Sequence, residues 1–190
     1  METRTVQRWC IVFGFGAVFG TLGDFGHSHF GVLHYPRPFL AGEAWWVPLL
    51  FGGSAVVMIA MHNTLRAWLP DPRATTFRDV AVAAAWFGGS YLASSIFKAY
   101  PLALTVALTS SFVARMLVVR RTRLQWIYAA SGAIGGPCVE ILLSSTGAFR
   151  YDVPDHLGVP IWLPALYLQA ALLGDAIARA WKFGPAIARA

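Results

Sequence analysis

The chain has 190 residues, of which 57% are hydrophobic and 13% are charged, and its mean hydropathy is +0.56. This composition excludes an ordinary soluble domain, and the length fits one domain over residues 1–190 with no separate soluble catalytic module. The formal net charge is +6. Because the charges sit between long apolar runs, they orient a membrane protein, and nucleic acid is not a predicted partner.

Six apolar runs are long enough to cross a bilayer as helices. The sequence therefore predicts an all-α, polytopic membrane protein, a bundle of six transmembrane helices. The predicted spans are approximately Arg8–Phe25, Ala44–Leu69, Phe77–Phe97, Ala99–Val119, Leu124–Phe149 and Pro160–Trp181. The very short turn at Lys98 predicts that the third and fourth spans pack against each other as an antiparallel hairpin.

The positive charges predict the orientation of the bundle. If the N-terminus is cytoplasmic, twelve Arg and Lys residues lie on the inner side and three lie on the outer side. The inner set is Arg4, Arg8, Arg66, Arg73, Arg78, Arg115, Arg120, Arg121, Arg123, Arg179, Lys182 and Arg189, and the outer set is Arg37, Lys98 and Arg150. Both termini are therefore predicted to be cytoplasmic. We expect an integral multi-pass protein of the cytoplasmic membrane in a bacterium, or of the endoplasmic reticulum in a eukaryote.

The fifth span contains the main candidate site. Gly132, Gly135, Gly136 and Pro137 lie within one and a half helical turns, and Glu140 follows the proline by three residues. A proline inside a helix predicts a kink, and glycines leave room for a close neighbour or a hollow. A carboxyl group inside a membrane helix indicates a functional site, although it could also cap a backbone group that the proline frees.

Glycines in the first three spans remove side-chain volume at similar depths. Together with the kinked fifth span they predict an apolar cavity, although close helix packing is an alternative explanation. The candidate ligand-binding residues are Phe13, Gly16, Trp46, Phe51, Gly53, Phe87, Tyr91, Pro137 and Glu140. The predicted guest is a neutral lipid with a small polar head, of the sterol or diacylglycerol type.

Other chemistry is not predicted. Acidic and histidine side chains flank the outer loops at Asp24, His27, His29, His34, Asp152, Asp155 and His156. They could in principle form a zinc or proton site, but we interpret them as a solvated polar rim, with no metal and no cofactor. No serine or cysteine has the sequence context of an activated nucleophile. Cys10 and Cys138 are expected at different depths, as free thiols.

Asp175 and Arg179 are four residues apart in the sixth span. This spacing places them on one helix face and predicts an internal ion pair that lowers the cost of a carboxylate in the membrane. We assign the two residues a structural or partner-binding role. A proton-coupling role for Asp175 together with Glu140 is an alternative, but the two carboxyl groups are expected at different depths.

Two motifs carry a family resemblance. The second span opens with Ala44-Trp45-Trp46-Val47-Pro48, and a longer motif runs from Gly147 to Pro164 through Tyr151, Pro154-Asp155 and Trp162-Leu163-Pro164. Both resemble the corresponding motifs of the Insig family, as do Ile177 and Arg179. The resemblance covers about residues 44–181.

The resemblance to the Insig family implies a fold and a function. It implies six spans with both termini cytoplasmic and a non-enzymatic regulator that binds sterols within the membrane. It also implies membrane-protein partners of the Scap and HMG-CoA reductase type. From the sequence, a membrane-protein partner or a homo-oligomer is expected.

Two further functions remain open at this point. The first is a membrane enzyme that acts on a lipid or isoprenoid, with Glu140 as its acid or base. The second is a packing protein whose glycine faces bury against other subunits.

Overall fold

The computed structural model describes residues 2–119 and 122–181. Six helices and two short strands follow in the order α1 (Glu2–His29), β1 (Leu33–His34), α2 (Val47–Trp68), α3 (Phe77–Ile96), α4 (Pro101–Val118), α5 (Arg123–Ser145), β2 (Arg150–Tyr151) and α6 (Leu163–Ala180). The prediction of six helices is confirmed, and α1 extends beyond its predicted span at both ends. The two strands were not predicted.

The helices begin where local sequence favours a first turn. Three of them carry a proline in the first turn, namely α2, α4 and α6, where a missing N–H leaves no hydrogen bond broken. The other two internal starts, of α3 and α5, have capping boxes formed by Thr76 with Asp79 and by Thr122 with Gln125. Helix α5 continues through Pro137 as one α-helix.

Four of the helices in the described part of the chain are long and apolar enough to cross a membrane, namely α1, α2, α4 and α5. Helices α3 and α6 are less apolar. We call the side with the start of α1 and the α2–α3 loop the inner side, and the side with the two strands the outer side. Four of the predicted inner charges, Arg120, Arg121, Lys182 and Arg189, lie outside the described residues.

Helix α6 occupies the centre of the bundle. It packs mainly against α5 and α3 and also contacts α2 and α4. Eleven of its 18 residues are buried, including Gln169, Asp175 and Arg179. Because protein rather than lipid surrounds α6, it tolerates polar side chains that a lipid-facing helix would exclude.

The predicted hairpin of α3 and α4 is wrong. Helix α3 packs on α6 and α1 and makes few contacts with α4. Although Lys98 lies in a short turn, Pro101 starts α4 in a new direction, and the two helices diverge from the turn. The space between them is an open groove rather than a packed interface.

Several glycines of the predicted hollow are covered by neighbouring side chains, whereas Gly14, Gly53, Gly88 and Gly89 have nothing within 4 Å. The Phe51 ring covers Gly20, the Phe13 ring covers Gly52, and Ala55 packs against Gly16. These glycines therefore bring α1 and α2 together as small residues do in other membrane bundles. On α5, the ring of Tyr167 covers Gly136, whereas Gly135 faces open space.

Glycine packing between α1 and α2 predicts a position-specific effect of adding one methyl group. A Cβ at Gly20 would overlap the Phe51 ring, whereas a Cβ at Gly14 on the same helix meets nothing within 4 Å. We expect Gly20→Ala to lower the free energy of unfolding by about 1–3 kcal/mol and Gly14→Ala to leave it unchanged or higher. Thermal unfolding in detergent measures both variants, and equal behaviour of the two would contradict this packing.

Candidate functional site

Two carboxyl groups on the outer half of the bundle accept hydrogen bonds from tyrosines. Tyr35 donates to Asp24 Oδ2 over 2.6 Å, and Tyr167 donates to Glu140 Oε1 over 2.7 Å. Tyr151 donates to the other oxygen of Glu140. Both oxygens of Glu140 thus accept a hydrogen bond. Tyr35 and Tyr151, which lie in the outer segments, are each hydrogen-bonded to a carboxyl group on a membrane helix.

Burial explains why these tyrosines act as donors. Burial raises the pKa of Tyr35 and of Tyr151 well above the ordinary value of 10.0, and the neighbouring carboxyl groups raise it further. Both hydroxyls therefore keep their protons at any physiological pH. They stay available as hydrogen-bond donors to Asp24 and Glu140.

The prediction that the outer acidic and histidine side chains form a solvated rim is wrong for Asp24 and His27, which are buried. Asp24 and His27, in the last turns of α1, are 4% and 1% exposed. His27 Nε2 lies 2.8 Å from Ser94 Oγ, and its ring lies 4.3 Å from that of Tyr91. His34 and Asp152 remain on the exposed surface, 3.2 Å apart.

Glu43 is an outer carboxyl with an unused oxygen. It is 6% exposed, and among the described residues its Oε1 has no hydrogen-bond partner. Burial raises the pKa of Glu43 from 4.5 to about 7. At mildly acidic pH, a carboxyl group with this pKa is protonated in the folded chain. In the unfolded chain the same group is ionised at that pH.

A second polar cluster ties the inner ends of the helices together. Asp175 pairs with Arg179 over 2.7 Å, which confirms the predicted ion pair. Arg179 also reaches Asp71 in the α2–α3 loop over 2.9 Å. Asp175 accepts further hydrogen bonds from Gln125 and contacts His62 Nε2 at 2.9 Å.

Asp71 is the loop anchor of this inner network. It is 3% exposed and accepts hydrogen bonds from Arg73, Thr122 and Arg179. Burial by itself raises the pKa of Asp71, but these hydrogen bonds outweigh burial and hold the pKa well below its usual range. The α2–α3 loop is therefore fixed to α5 and α6 by a charged group that stays ionised.

A groove between α3 and α4 has a volume of about 760 Å³. Its walls are mostly small side chains, Ala85, Gly89 and Ala93 on α3 and Ala103 and Ala107 on α4. The groove is open toward the outside of the bundle and almost entirely apolar. Both its volume and its apolar lining are typical of a small-molecule site.

Polar groups lie at the inner end of this groove. Ser111 lines it and accepts a hydrogen bond from Gln169 of the central helix over 3.0 Å. Gln169 in turn accepts one from Arg115, whose guanidinium lies 5.1 Å from the centre of the Trp86 ring. The contact between Arg115 and Trp86 thus joins α4 to α3 at the inner end of the groove.

The nine predicted ligand-binding residues lie elsewhere. None of Phe13, Gly16, Trp46, Phe51, Gly53, Phe87, Tyr91, Pro137 and Glu140 lines the α3–α4 groove. Four of the nine, Trp46, Phe51, Phe87 and Tyr91, pack around the same outer core. Gly53 faces open space. A role of these residues in ligand binding stays a prediction.

Sequence reasoning missed the groove and most of the buried polar partners. The groove lacks a motif because alanines lining it are ordinary membrane-helix residues. The tyrosine partners had a signal, since Tyr35 follows Asp24 by 11 positions and Tyr151 follows Glu140 by the same number. Beyond the Asp175–Arg179 pair, the inner network had none, because Asp71, Gln125 and Asp175 come from three distant segments.

Known proteins share this architecture, although no family model matches the chain. The INSIG protein homolog of Mycolicibacterium vanbaalenii is 30% identical over 202 residues, which cover 96% of this chain and 93% of that protein. The chain belongs to the Insig family. The crystal structure of a mycobacterial Insig homolog, MvINS from Mycobacterium vanbaalenii, matches with a TM-score of 0.80 and 25% identity over 94% of this chain and 95% of that chain.

Vertebrate Insig proteins are more distant relatives. The human insulin-induced gene 1 protein is 22% identical over 190 residues, which cover 95% of this chain and 68% of that protein. Members of the Insig family are non-enzymatic sterol-regulatory membrane proteins. This Insig-family chain is therefore an integral multi-pass membrane protein and not an enzyme.

The inner network predicts unequal effects of the same substitution at two aspartates. Asp71→Asn weakens a buried ion pair with Arg179, so we expect a loss of about 3 kcal/mol in the free energy of unfolding. Asp152→Asn affects an exposed pair with His34 and Lys98 and should change stability little. Denaturation in detergent compares them, and similar losses for both would contradict a buried anchor at Asp71.

Glu43 predicts a pH dependence with a defined sign. Because its pKa is raised on folding to about 7, the folded state binds a proton that the unfolded state releases. The stability that this proton supplies is fully present below about pH 4.5 and is lost as the pH rises to about 7. Melting temperatures of wild type and Glu43→Gln from pH 4.5 to 8 test this, and parallel curves for the two proteins would refute it.

Proposed function

We propose that this Insig-family chain is a membrane lipid sensor that binds one neutral lipid in the groove between α3 and α4. The observation that carries the proposal is the groove itself, an apolar space of about 760 Å³ between two membrane helices that hardly touch. An unfilled apolar groove at this depth is occupied by lipid in a bilayer. Binding by a sensor differs from ordinary contact with bilayer lipid because a sensor prefers one lipid class.

The lining of the groove favours a neutral guest with a small polar head, of the sterol or diacylglycerol type. Small side chains along both walls accommodate a flat ring system or packed acyl tails. Polar groups occur at the inner end, where Ser111 and Gln169 can exchange a hydrogen bond with a hydroxyl. The groove does not favour a charged headgroup, because none of the residues that line it carries a charge.

The hydrogen bonds of Glu140 support a function in binding without catalysis. Both of its oxygens accept hydrogen bonds from tyrosines, and Pro137 next to it is buried in the bundle. Glu140 therefore has a structural duty in the folded chain. This supports the regulator over the alternative of a lipid-modifying enzyme with Glu140 as its acid or base, because both oxygens of Glu140 are already hydrogen-bonded.

Binding in the groove predicts a selective loss of lipid. Gly89 lines the groove, and Gly53 also faces open space but lies on α2, outside the groove. We expect Gly89→Leu to reduce the fraction of protein that retains sterol or diacylglycerol at least tenfold, because the new side chain fills the groove. Gly53→Leu and Glu140→Gln should retain the lipid. Native mass spectrometry of protein purified with each added lipid gives these fractions.

The controls decide between the two candidate cavities. Loss of lipid from Gly53→Leu but not from Gly89→Leu would transfer the site to the residues predicted from sequence. Retention by every variant would overturn specific binding in either place. Equal retention of neutral and anionic lipids by the wild type would show that the groove holds bulk lipid only.

We also propose that the chain forms a homo-oligomer. The support is a solved structure of the related MvINS, described as a cross-linked trimer, which this chain matches with a TM-score of 0.80. The exposed apolar side chains on the outer surfaces of α1, α4 and α5 leave room for either lipid or a second copy. The same native spectra report the mass of the assembly.

A further inference from the structure

Two stretches of the chain, residues 16–60 and 132–176, align without a gap at a constant offset of 116 positions. Thirteen of the 45 aligned positions are identical. The residues that recur 116 positions later are Gly16, Ala17, Gly20, Ser28, Gly31, Tyr35, Pro38, Gly42, Trp46, Pro48, Leu50, Ala55 and Ala60. The first stretch covers the outer half of α1, all of β1 and the outer part of α2. The second covers the same parts of α5, β2 and α6.

The backbone of the two outer loops follows the same offset. Ala41 and Gly42 form a left-handed turn with φ of 52° and 86°, and Leu157 and Gly158 form another with φ of 50° and 82°. A bridge closes each turn, between Leu40 and Glu43 and between His156 and Val159. A leucine or alanine with positive φ is uncommon, so its occurrence at equivalent positions is not a general feature of loops.

Hydrogen bonds around the loops also recur in register. At the end of α1, Gly31 N donates to Ser28 O over 3.1 Å, and at the end of α5, Gly147 N donates to Ser144 O over 2.9 Å. At the starts of the following helices, Leu50 N donates to Trp46 O and Leu166 N to Trp162 O, over 3.0 and 3.1 Å. The two segments therefore fold alike from helix end to helix start.

The helix contacts within each stretch are equivalent as well. In both, a glycine is covered by an aromatic ring and a second glycine, one turn earlier, faces an alanine. The equivalent contacts are Gly20–Phe51 with Gly136–Tyr167, and Gly16–Ala55 with Gly132–Ala171. Each of these eight residues has its counterpart 116 positions away.

The carboxyl–tyrosine hydrogen bonds complete the correspondence. Asp24 and Glu140 are 116 positions apart, as are their donors Tyr35 and Tyr151. In each stretch the carboxyl group near the end of the first helix accepts from the tyrosine that follows 11 residues later. The second stretch adds a third member, Tyr167, whose counterpart Phe51 has no hydroxyl.

The two stretches meet about a two-fold axis. Strands β1 and β2 pair antiparallel, and the pair His34↔Arg150 joins two residues that are themselves 116 positions apart. When a residue pairs with its own counterpart, the two-fold axis that relates the two copies passes between them. Since α1 and α5 both start on the inner side, this axis runs along the membrane normal, as in transporters built from parallel repeats.

We propose that residues 16–60 and 132–176 are two copies of one helix–loop–helix unit, and that Asp24 with Tyr35 and Glu140 with Tyr151 are the same positioning device in the two copies. Each device fixes an outer loop to the membrane helix that precedes it. The two units contact each other through β1 with β2 and through α2 with α6. Helices α3 and α4, which line the groove, have no counterpart and connect the two copies.

Equivalence of the units makes a prediction that simple packing does not. If the Phe51 ring occupies the place of the Tyr167 ring, a hydroxyl added to it will reach Asp24 as Tyr167 reaches Glu140. We expect Phe51→Tyr to raise the melting temperature by about 2–4 °C and to give no increase when Asp24 is replaced by leucine. Conversely, Tyr167→Phe should lower it by a similar amount, and not when Glu140 is replaced by methionine.

A matched variant controls for the added hydroxyl. Phe13 covers Gly52 with its ring but has Ala129 as its counterpart, so Phe13→Tyr should give no increase. The proposal is overturned if Phe51→Tyr gives no increase while Tyr167→Phe lowers the melting temperature, or if the increase persists without Asp24. If Phe51→Tyr does not fold, Asp24→Glu with Phe51→Tyr reproduces the second unit, and its instability relative to wild type also overturns the proposal.

Discussion

A charged pair inside a membrane bundle must be shielded from lipid and shared among several partners, and the packing of this protein is arranged around that constraint. Asp175 and Arg179 lie on α6, and four other helices surround this helix. Asp71 adds a second carboxylate from the α2–α3 loop. Removing one member of the network leaves its buried partners with less opposite charge around them, which costs more than the pair contributes. The central helix is therefore held at its inner end by electrostatics rather than by packing alone.

The outer half of the bundle is held in a different way. Glycines receive aromatic rings, and buried tyrosines donate to carboxyl groups near the ends of α1 and α5. Close packing in this region takes up part of the space that glycine content alone suggested, because the same glycines that remove volume let neighbouring rings enter. Space for a guest remains between α3 and α4, which the contact of Arg115 with the Trp86 ring joins at the inner end of the groove.

The Insig-family architecture thus divides into two parts with different duties. Two helix–loop–helix units, joined through β1 and β2, form a fixed frame on which α6 is central. The connecting helices α3 and α4 attach to this frame through α6 and diverge from each other. Under the proposed function, a lipid between α3 and α4 would change the spacing of these two helices and leave the charged network and the carboxyl–tyrosine contacts in place. This separation suits a sensor, whose ligand must move part of the protein while the rest stays folded.

The sequence by itself determined the class of protein, the six helices to within a few residues at most ends, the Asp175–Arg179 pair and the family. These follow from local properties, since apolar runs, a spacing of four and ungapped motifs are read along one segment. Only the tertiary structure decided that α6 is central, that Asp24 and His27 are buried, and that the groove lies between α3 and α4. Those facts depend on which helices face each other. The sequence does not show whether a neighbouring ring packs against a given glycine or alanine or leaves the space beside it open.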